Sequence, residues 1–264
     1  MAQLVKIEQC VSRYQTDFMR YANRFIWLKK RREAEWLLRK TRSEAERNGA
    51  RLFTEPAAAE KRDPDFYSWL YAMQLDWASS TSDSFSALPQ DMQRQDWLKD
   101  CLQQVNDLVF FFYQPILVTQ SAEVQLNSLI LTNDTVWCLT PLHGESYSVF
   151  QEENGRRWRE IINGGSRTHL NPLIALQRTR RIMSAFLSAH QLDMKVKMVV
   201  LAPDSFIEFV PDQFDLELID RRRKKDWYQQ LSRQSLLFKR CQTDAAEQLL
   251  EHVKTDASAR TDGF

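Results

Sequence analysis

Residues 124–142 read VQLNSLILTNDTVWCLTPL. Two apolar runs, VQLNSLIL and TVWCLT, flank Asn133 and Asp134. Short polar side chains of that kind bond their own backbone and favour a tight turn, so the stretch reads as strand, turn, strand. Working outward, LVFFFY and PILV lie before it and YSVF after it, again short runs rich in Val, Ile, Phe and Leu. Gly164 and Gly165 with Ser166 read as a hairpin turn. A helix is expected from about 172 to 190, an apolar strand over 196–202, a basic segment, and a final helix from about 226 to 253. This part of the chain is therefore an α/β core with a largely buried, mixed sheet.

The first hundred residues have a different pattern. Leu4, Ile7, Val11, Tyr14, Phe18, Tyr21, Phe25 and Leu28 repeat at spacings of three and four, which predicts a long heptad-patterned helix from near Gln3 to Gly49. Such a seam packs either on helices of the same chain or on a second copy. A linker, RLFTEPAAAEKRDP, precedes two further helices, one carrying Phe66, Leu70, Met73 and Trp77, the other Trp97, Cys101, Leu102 and Val105. Pro89 fits the first turn of the latter. The fold class expected is α+β: a helical region over 1–106, a mixed-sheet core with flanking helices over 107–220, and a basic helix over 221–264.

The 264 residues are 43% hydrophobic and 27% charged, which excludes collagen-like, disordered and disulfide-framework classes. Four cysteines, Cys10, Cys101, Cys138 and Cys241, show no CxxC pair and read as free thiols. No run has the apolar length of a membrane span or a signal peptide, so a cytoplasmic protein without a membrane partner is expected. The histidines His143, His169, His190 and His252 have no metal-ligand spacing, and GxSxG, P-loop and GxGxxG patterns are lacking.

The formal net charge of +1 conceals an uneven distribution. Residues 1–62 carry fifteen basic groups against eight acidic, 63–126 two against nine, 127–220 nine against twelve, and 221–264 ten against six. The densest basic runs are Lys29, Lys30, Arg31 and Arg32, between Trp27 and Trp36, and Arg221, Arg222, Arg223, Lys224 and Lys225, before Trp227 and Tyr228. Arg178, Arg180 and Arg181 form a third cluster. Cations beside aromatic rings suit phosphates and bases. Alternatively the basic ends fold back on the acidic segment and neutralise it.

The order Gln125-Leu126-Asn127-Ser128-Leu129-Ile130-Leu131-Thr132, then Gly144, Gly155, Trp158, Asn171-Pro172, Gln177 and the apolar strand Met198-Val199-Val200-Leu201 resembles the nuclease-related domain (NERD) family, over about a third of the chain. The resemblance implies a PD-(D/E)XK nuclease-like fold, in which two strand-end carboxylates hold Mg²⁺ and a lysine orients the attacking water. Laid on that pattern without gaps, the family Asp falls on Asn127, the Glu on Thr140 and the Lys on Leu142. Neutral Asn and Thr cannot strip a hard cation of its water, and Leu cannot stabilise charge. The resemblance thus implies the fold and argues against the activity.

Glu123, Asp134, His143, Glu145, Asp96 and Asp100 are the groups through which a relocated site would have to work. Glu123 has the right strand parity for Asn127 but lies ~13 Å from it along an extended strand. The expected function is a catalytically silent pseudoenzyme without cofactor that binds nucleic acid through its basic clusters, or a protein. The alternatives are a divergent nuclease using Mg²⁺ at relocated acids, and a coiled-coil scaffold that self-associates or recruits a protein through the N-terminal helix.

Overall fold

The computed structural model describes residues 1–48, 63–209 and 214–260, and shows an α+β fold. In chain order the elements are β1 (Gln3–Ile7), α1 (Phe18–Asn48), α2 (Pro64–Trp77), β2 (Ser84–Phe85), α3 (Asp96–Gln104), β3 (Phe110–Tyr113), β4 (Ile116–Val118), β5 (Glu123–Gln125), β6 (Ser128–Leu131), β7 (Thr135–Pro141), β8 (Val149–Asn154), β9 (Arg157–Ile162), β10 (Gly165–Leu170), α4 (Pro172–Ala189), β11 (Lys195–Leu201), β12 (Phe206–Glu208), β13 (Leu216–Ile219), α5 (Lys224–Gln234), α6 (Arg240–His252) and β14 (Ser258–Ala259). The expected linker after Gly49 lies outside the described residues, apart from its last two positions.

The main sheet has the order β1-β3-β6-β7-β11-β13. Strands β3, β6 and β7 form an antiparallel meander, and β11 then joins parallel to β7 and β13 parallel to β11. A parallel neighbour requires a crossover, and α4 supplies it. Helices cover both faces. Trp97 of α3 packs against Phe111, and Trp227 of α5 makes an edge contact with Trp137. On the other face Phe18 and Phe238 pack against Phe110, and α4 lies along β7 and β11. Each fully buried ring contributes roughly 1.5–3 kcal/mol, so this double covering of a six-stranded sheet is the main source of stability. A smaller sheet, β10-β9-β8-β12, forms around buried Phe150 and Trp158: β8, β9 and β10 are inserted between β7 and α4, and β12, which follows β11, joins β8 in parallel.

The N-terminal helix does not begin near Gln3. Residues Gln3–Ile7 are all buried and form an edge strand parallel to β3. Leu4, Ile7 and Val11 satisfy the helical spacing, but Val5 between them is apolar too, so the segment suits a strand buried on both faces. Its exposed edge is closed: the Leu4 N–H donates to Gln74 Oε1 of α2, and the Ser12 hydroxyl donates to the Val5 carbonyl. The helix starts at Phe18, after Asp17 accepts the Arg20 N–H. From there the seam packs within the chain, with Tyr14, Tyr21 and Phe25 all against Trp77 of α2.

Three further expectations need correction. The final helix is two helices, because Asn106 Nδ2 donates to the Ser232 and Ser235 carbonyls and ends α5 there, before Phe238 turns in to stack on Phe110. The run VQLNSLIL is two strands, broken where Asn127 turns to bond α4. Pro89 is not in the first turn of α3; its carbonyl accepts the Met92 N–H in a separate 3-10 turn. Cys10, Cys101, Cys138 and Cys241 are free thiols. No helix among the described residues is long and apolar enough to cross a membrane.

Candidate functional site

Register brings Asn127, Thr140 and Leu142 together at one end of the central strands of the main sheet. Ser128 pairs with Leu139 across the β6–β7 ladder, so the next step sets Asn127 beside Thr140. Thr140 pairs in turn with Val200 of β11, and the Leu142 N–H extends that ladder by donating to the Leu201 carbonyl at 2.8 Å. Leu142 is 7% exposed and packs as a core residue. Asn127 is engaged by α4: the Thr179 hydroxyl donates to Asn127 Oδ1 at 2.8 Å and the Asn127 N–H donates back to Thr179 Oγ1 at 3.1 Å. The amide oxygen that would replace a metal-ligating carboxylate is therefore occupied by a buried hydroxyl. This donor set does not fit Mg²⁺, which favours carboxylate oxygens in octahedral geometry.

Three of the acids through which a relocated site would work are engaged in ion pairs, and two others lie elsewhere. Glu123 lies on β5, in a separate two-stranded sheet with β4, and pairs with Lys254 at 2.7 Å. Glu145 pairs with Arg167 at 2.7 Å and Asp100 with Lys224 at 3.1 Å. Asp134 is in the β6–β7 turn, at the opposite end of β7 from Thr140, and Asp96 opens α3. Among the described residues no group of three His, Cys, Asp or Glu could hold a metal ion. Burial pushes the Cys138 thiol up to about 12, against the opposing field of Arg180, so it is a packed, unreactive residue.

The remaining motif residues are structural where their contacts are defined. Asn171 caps α4 by accepting the Leu173 N–H at 2.9 Å, and Pro172 occupies the first turn, where its missing N–H costs nothing. Trp158 is buried against Phe209. Gln177 is half-buried two residues before Thr179, and the carbonyl of exposed Gln125 accepts from Arg178 at 3.1 Å.

The basic runs do not converge. Lys29 pairs with Asp107, just before β3 and so at the N-terminal end of the parallel strands, while Arg221 follows β13 at their C-terminal end. A seven-residue strand such as β7 separates these ends by ~20 Å. Arg31 and Arg32 both pair with Glu35, and Arg31 stacks on Trp27, leaving Lys30 exposed. At the C-terminal end, Arg178 is exposed on α4 and reaches the Gln125 carbonyl, two residues from Asn127, while Arg221, Arg223 and Lys225 are exposed beyond β13; Arg181 is exposed further along α4. Arg222 is held by Asp220, Nε at 2.9 Å and Nη2 at 2.5 Å. Burial alone would raise the Asp220 carboxyl, but the Arg222 guanidinium and N–H bring it below the ordinary range.

Part of the basic charge is neutralised within the chain and part faces solvent. Five ion pairs among the described residues tie the basic ends to the acidic segment: Arg13–Asp76, Lys29–Asp107, Lys40–Asp63, Lys224–Asp100 and Lys254–Glu123. Arg178, Arg221, Arg223 and Lys225 remain exposed around the end of the sheet that holds Asn127, Thr140 and Leu142, while other exposed cations, among them Arg20, Arg24, Lys30 and Arg39 on α1 and Lys195 at the start of β11, lie elsewhere on the surface.

Two features of this edge are not apparent in the sequence. Tyr147, expected within the strand run YSVF, instead lies in the loop before β8, 63% exposed with φ +67°. Glu160, on β9, is buried; burial would raise its carboxyl, but the Glu145 N–H, the Ser148 hydroxyl and His169 hold it below its ordinary value. The Glu145 N–H lies at 2.7 Å and His169 Nε2 at 2.8 Å. The loop 142–148 is thus anchored to the small sheet. The alternation in RWREII signals that Trp158 and Glu160 share a face, but not that a carboxylate stands on the buried one. Comparison with protein-family models, curated proteins and solved structures returned no match.

Proposed function

We propose that this chain is a degenerate nuclease-related protein that binds nucleic acid at the C-terminal edge of its main sheet without cutting it. One observation carries the reading: the three positions to which the resemblance assigns catalysis adjoin one another as Asn127, Thr140 and Leu142, all neutral, with the Asn127 amide oxygen held by Thr179, while exposed Arg178, Arg221 and Lys225 lie around the same end of the sheet. Carboxylates that bind a metal would repel phosphate without it; their loss leaves an edge whose net field favours a polyanion. Against a relocated metal site stand the ion pairs that engage Glu123, Glu145 and Asp100.

The test is fluorescence anisotropy with labelled nucleic acid across a salt series. Each phosphate contact adds about 0.9 to the slope of log affinity against log salt on a duplex. Arg178→Ala with Arg221→Ala is expected to reduce that slope by about two. Lys30→Ala, at the opposite end of the sheet, is expected to leave it unchanged. Binding that ignores salt, or that is lost with Lys30 and kept without Arg178 and Arg221, contradicts the proposal.

A further inference from the structure

Beside the neutral trio lies a cluster of two cations and two rings. The Arg221 guanidinium carbon lies 3.9 Å from the centre of the Tyr147 ring. The Tyr147 ring is 6.5 Å from that of Phe206, inclined at 46°, and the Arg222 guanidinium lies 5.2 Å from the centre of the Phe206 ring. The four side chains have different roles. Asp220 neutralises Arg222, so that cation packs on Phe206 from behind. Among the described residues Arg221 bonds no carboxylate, and its charge is available. Tyr147 is a large aromatic residue left 63% exposed, which is unfavourable for an apolar surface.

The stack is fixed from below. The Tyr147 N–H donates to the Asp204 carbonyl at 2.8 Å, the Ser205 hydroxyl to the Glu145 carbonyl at 3.0 Å, the Phe206 N–H to the Ser148 carbonyl at 2.8 Å, and the Arg221 N–H to the Ser205 carbonyl at 3.2 Å. These bonds tie three separate segments together. They also hold Tyr147 at φ +67°, a left-handed conformation that a bulky residue adopts only under constraint from its surroundings. The fold thus maintains a strained backbone that presents an aromatic ring at the surface with the Arg221 guanidinium against it.

We propose that Arg221 on Tyr147 is the stacking site for an unpaired base of single-stranded nucleic acid, with Lys225 near the adjoining phosphate. The inference rests on the nucleic-acid reading above and narrows it to one class of ligand. In a duplex the bases cover one another and offer only their edges, so a flat cationic tray has nothing to stack on. An unpaired base offers a whole face, and stacking on aromatic rings or guanidinium planes is tolerant of sequence. The N–H groups at the rim of the guanidinium stay free for phosphate oxygens while its face meets the base.

The experiment uses the full chain and two labelled probes at one salt concentration: an oligothymidylate of about twelve nucleotides, which has no secondary structure, and a mixed duplex of about twenty base pairs. Wild type is expected to bind the oligothymidylate more tightly than the duplex. Tyr147→Ala is expected to weaken the oligothymidylate roughly tenfold, the worth of one stacked base, and the duplex less than about twofold. Tyr147→Phe keeps the ring and is expected to keep the affinity. Circular dichroism on each variant confirms that the fold is intact. Equal losses on both probes, or unchanged oligothymidylate binding by Tyr147→Ala, overturn the stacking site. Wild type that binds duplex but not oligothymidylate overturns it too, while leaving the broader nucleic-acid reading in place. Failure to bind either probe overturns both.

Discussion

Lys6 gives the sharpest quantitative test of the fold. It lies on edge strand β1 with 0% exposure, and its ammonium nitrogen donates to Gln15 Oε1 at 3.2 Å and Thr255 Oγ1 at 2.8 Å, both neutral. Burial lowers its pKa from 10.5 to about 7, with the Cys10 thiol opposing. Lowering a lysine that far costs the charged form roughly 5 kcal/mol. Between pH 7 and 10.5 the unfolded chain keeps a proton that the folded chain releases. Stability therefore rises with pH across that window, and below about pH 7 the full cost applies because both states are protonated. From pH 6 to pH 9 this single group is worth roughly 3 kcal/mol.

Lys6→Met removes the effect with little other loss, since Gln15 Oε1 still accepts the Ser12 N–H and Thr255 Oγ1 still accepts from Gln15 Nε2. The assay is urea unfolding followed by tryptophan fluorescence at a series of pH values, wild type against variant, so that every other titrating group cancels in the difference. The variant is expected to gain stability relative to wild type at pH 6, and the gap is expected to close by roughly 3 kcal/mol at pH 9. Parallel pH profiles for the two proteins would refute the buried, neutral lysine.

Glu160→Ala leaves the Glu145 N–H without its acceptor and is expected to cost about 1–3 kcal/mol in chemical unfolding. Because the folded carboxyl is held low, wild type loses this contribution only as pH falls from the ordinary carboxylate range through the folded value, whereas the variant's profile should be flatter there. Gly144→Ala sets a Cβ 2.5 Å from Glu160 Oε1 and 2.7 Å from the Phe150 ring, so one must move. The expected loss is about 1–3 kcal/mol in thermal or chemical unfolding, and a neutral result would mean that the loop is not clamped as described.

Much of the fold was legible because the strands at 128–131 and 135–141 are bounded by strong turn residues and the helices α2 and α4 begin with Pro in the first turn after a capping Asp or Asn. What escaped reading is non-local. Whether QLVKI is a helix start or a strand depends on β3, a hundred residues away, and on Gln74 closing its edge. The break after α5 depends on Asn106. The neutral positions Asn127, Thr140 and Leu142 were legible one by one, but the hydroxyl that occupies Asn127 comes from Thr179, which carries no mark in the sequence. Tyr147 was hidden for a similar reason: a strand-forming residue held in a left-handed turn by bonds from 204–206.

The proposed edge holds nucleic acid and does no chemistry on it. The most direct measurement incubates purified protein with end-labelled single- and double-stranded substrates and millimolar Mg²⁺ or Mn²⁺, then reads the same samples on a native gel for retardation and on a denaturing gel for length. Retarded, full-length nucleic acid is the predicted result. Shortened products that disappear in Glu123→Ala or Glu145→Ala would contradict it, as would the lack of any retarded species at low salt.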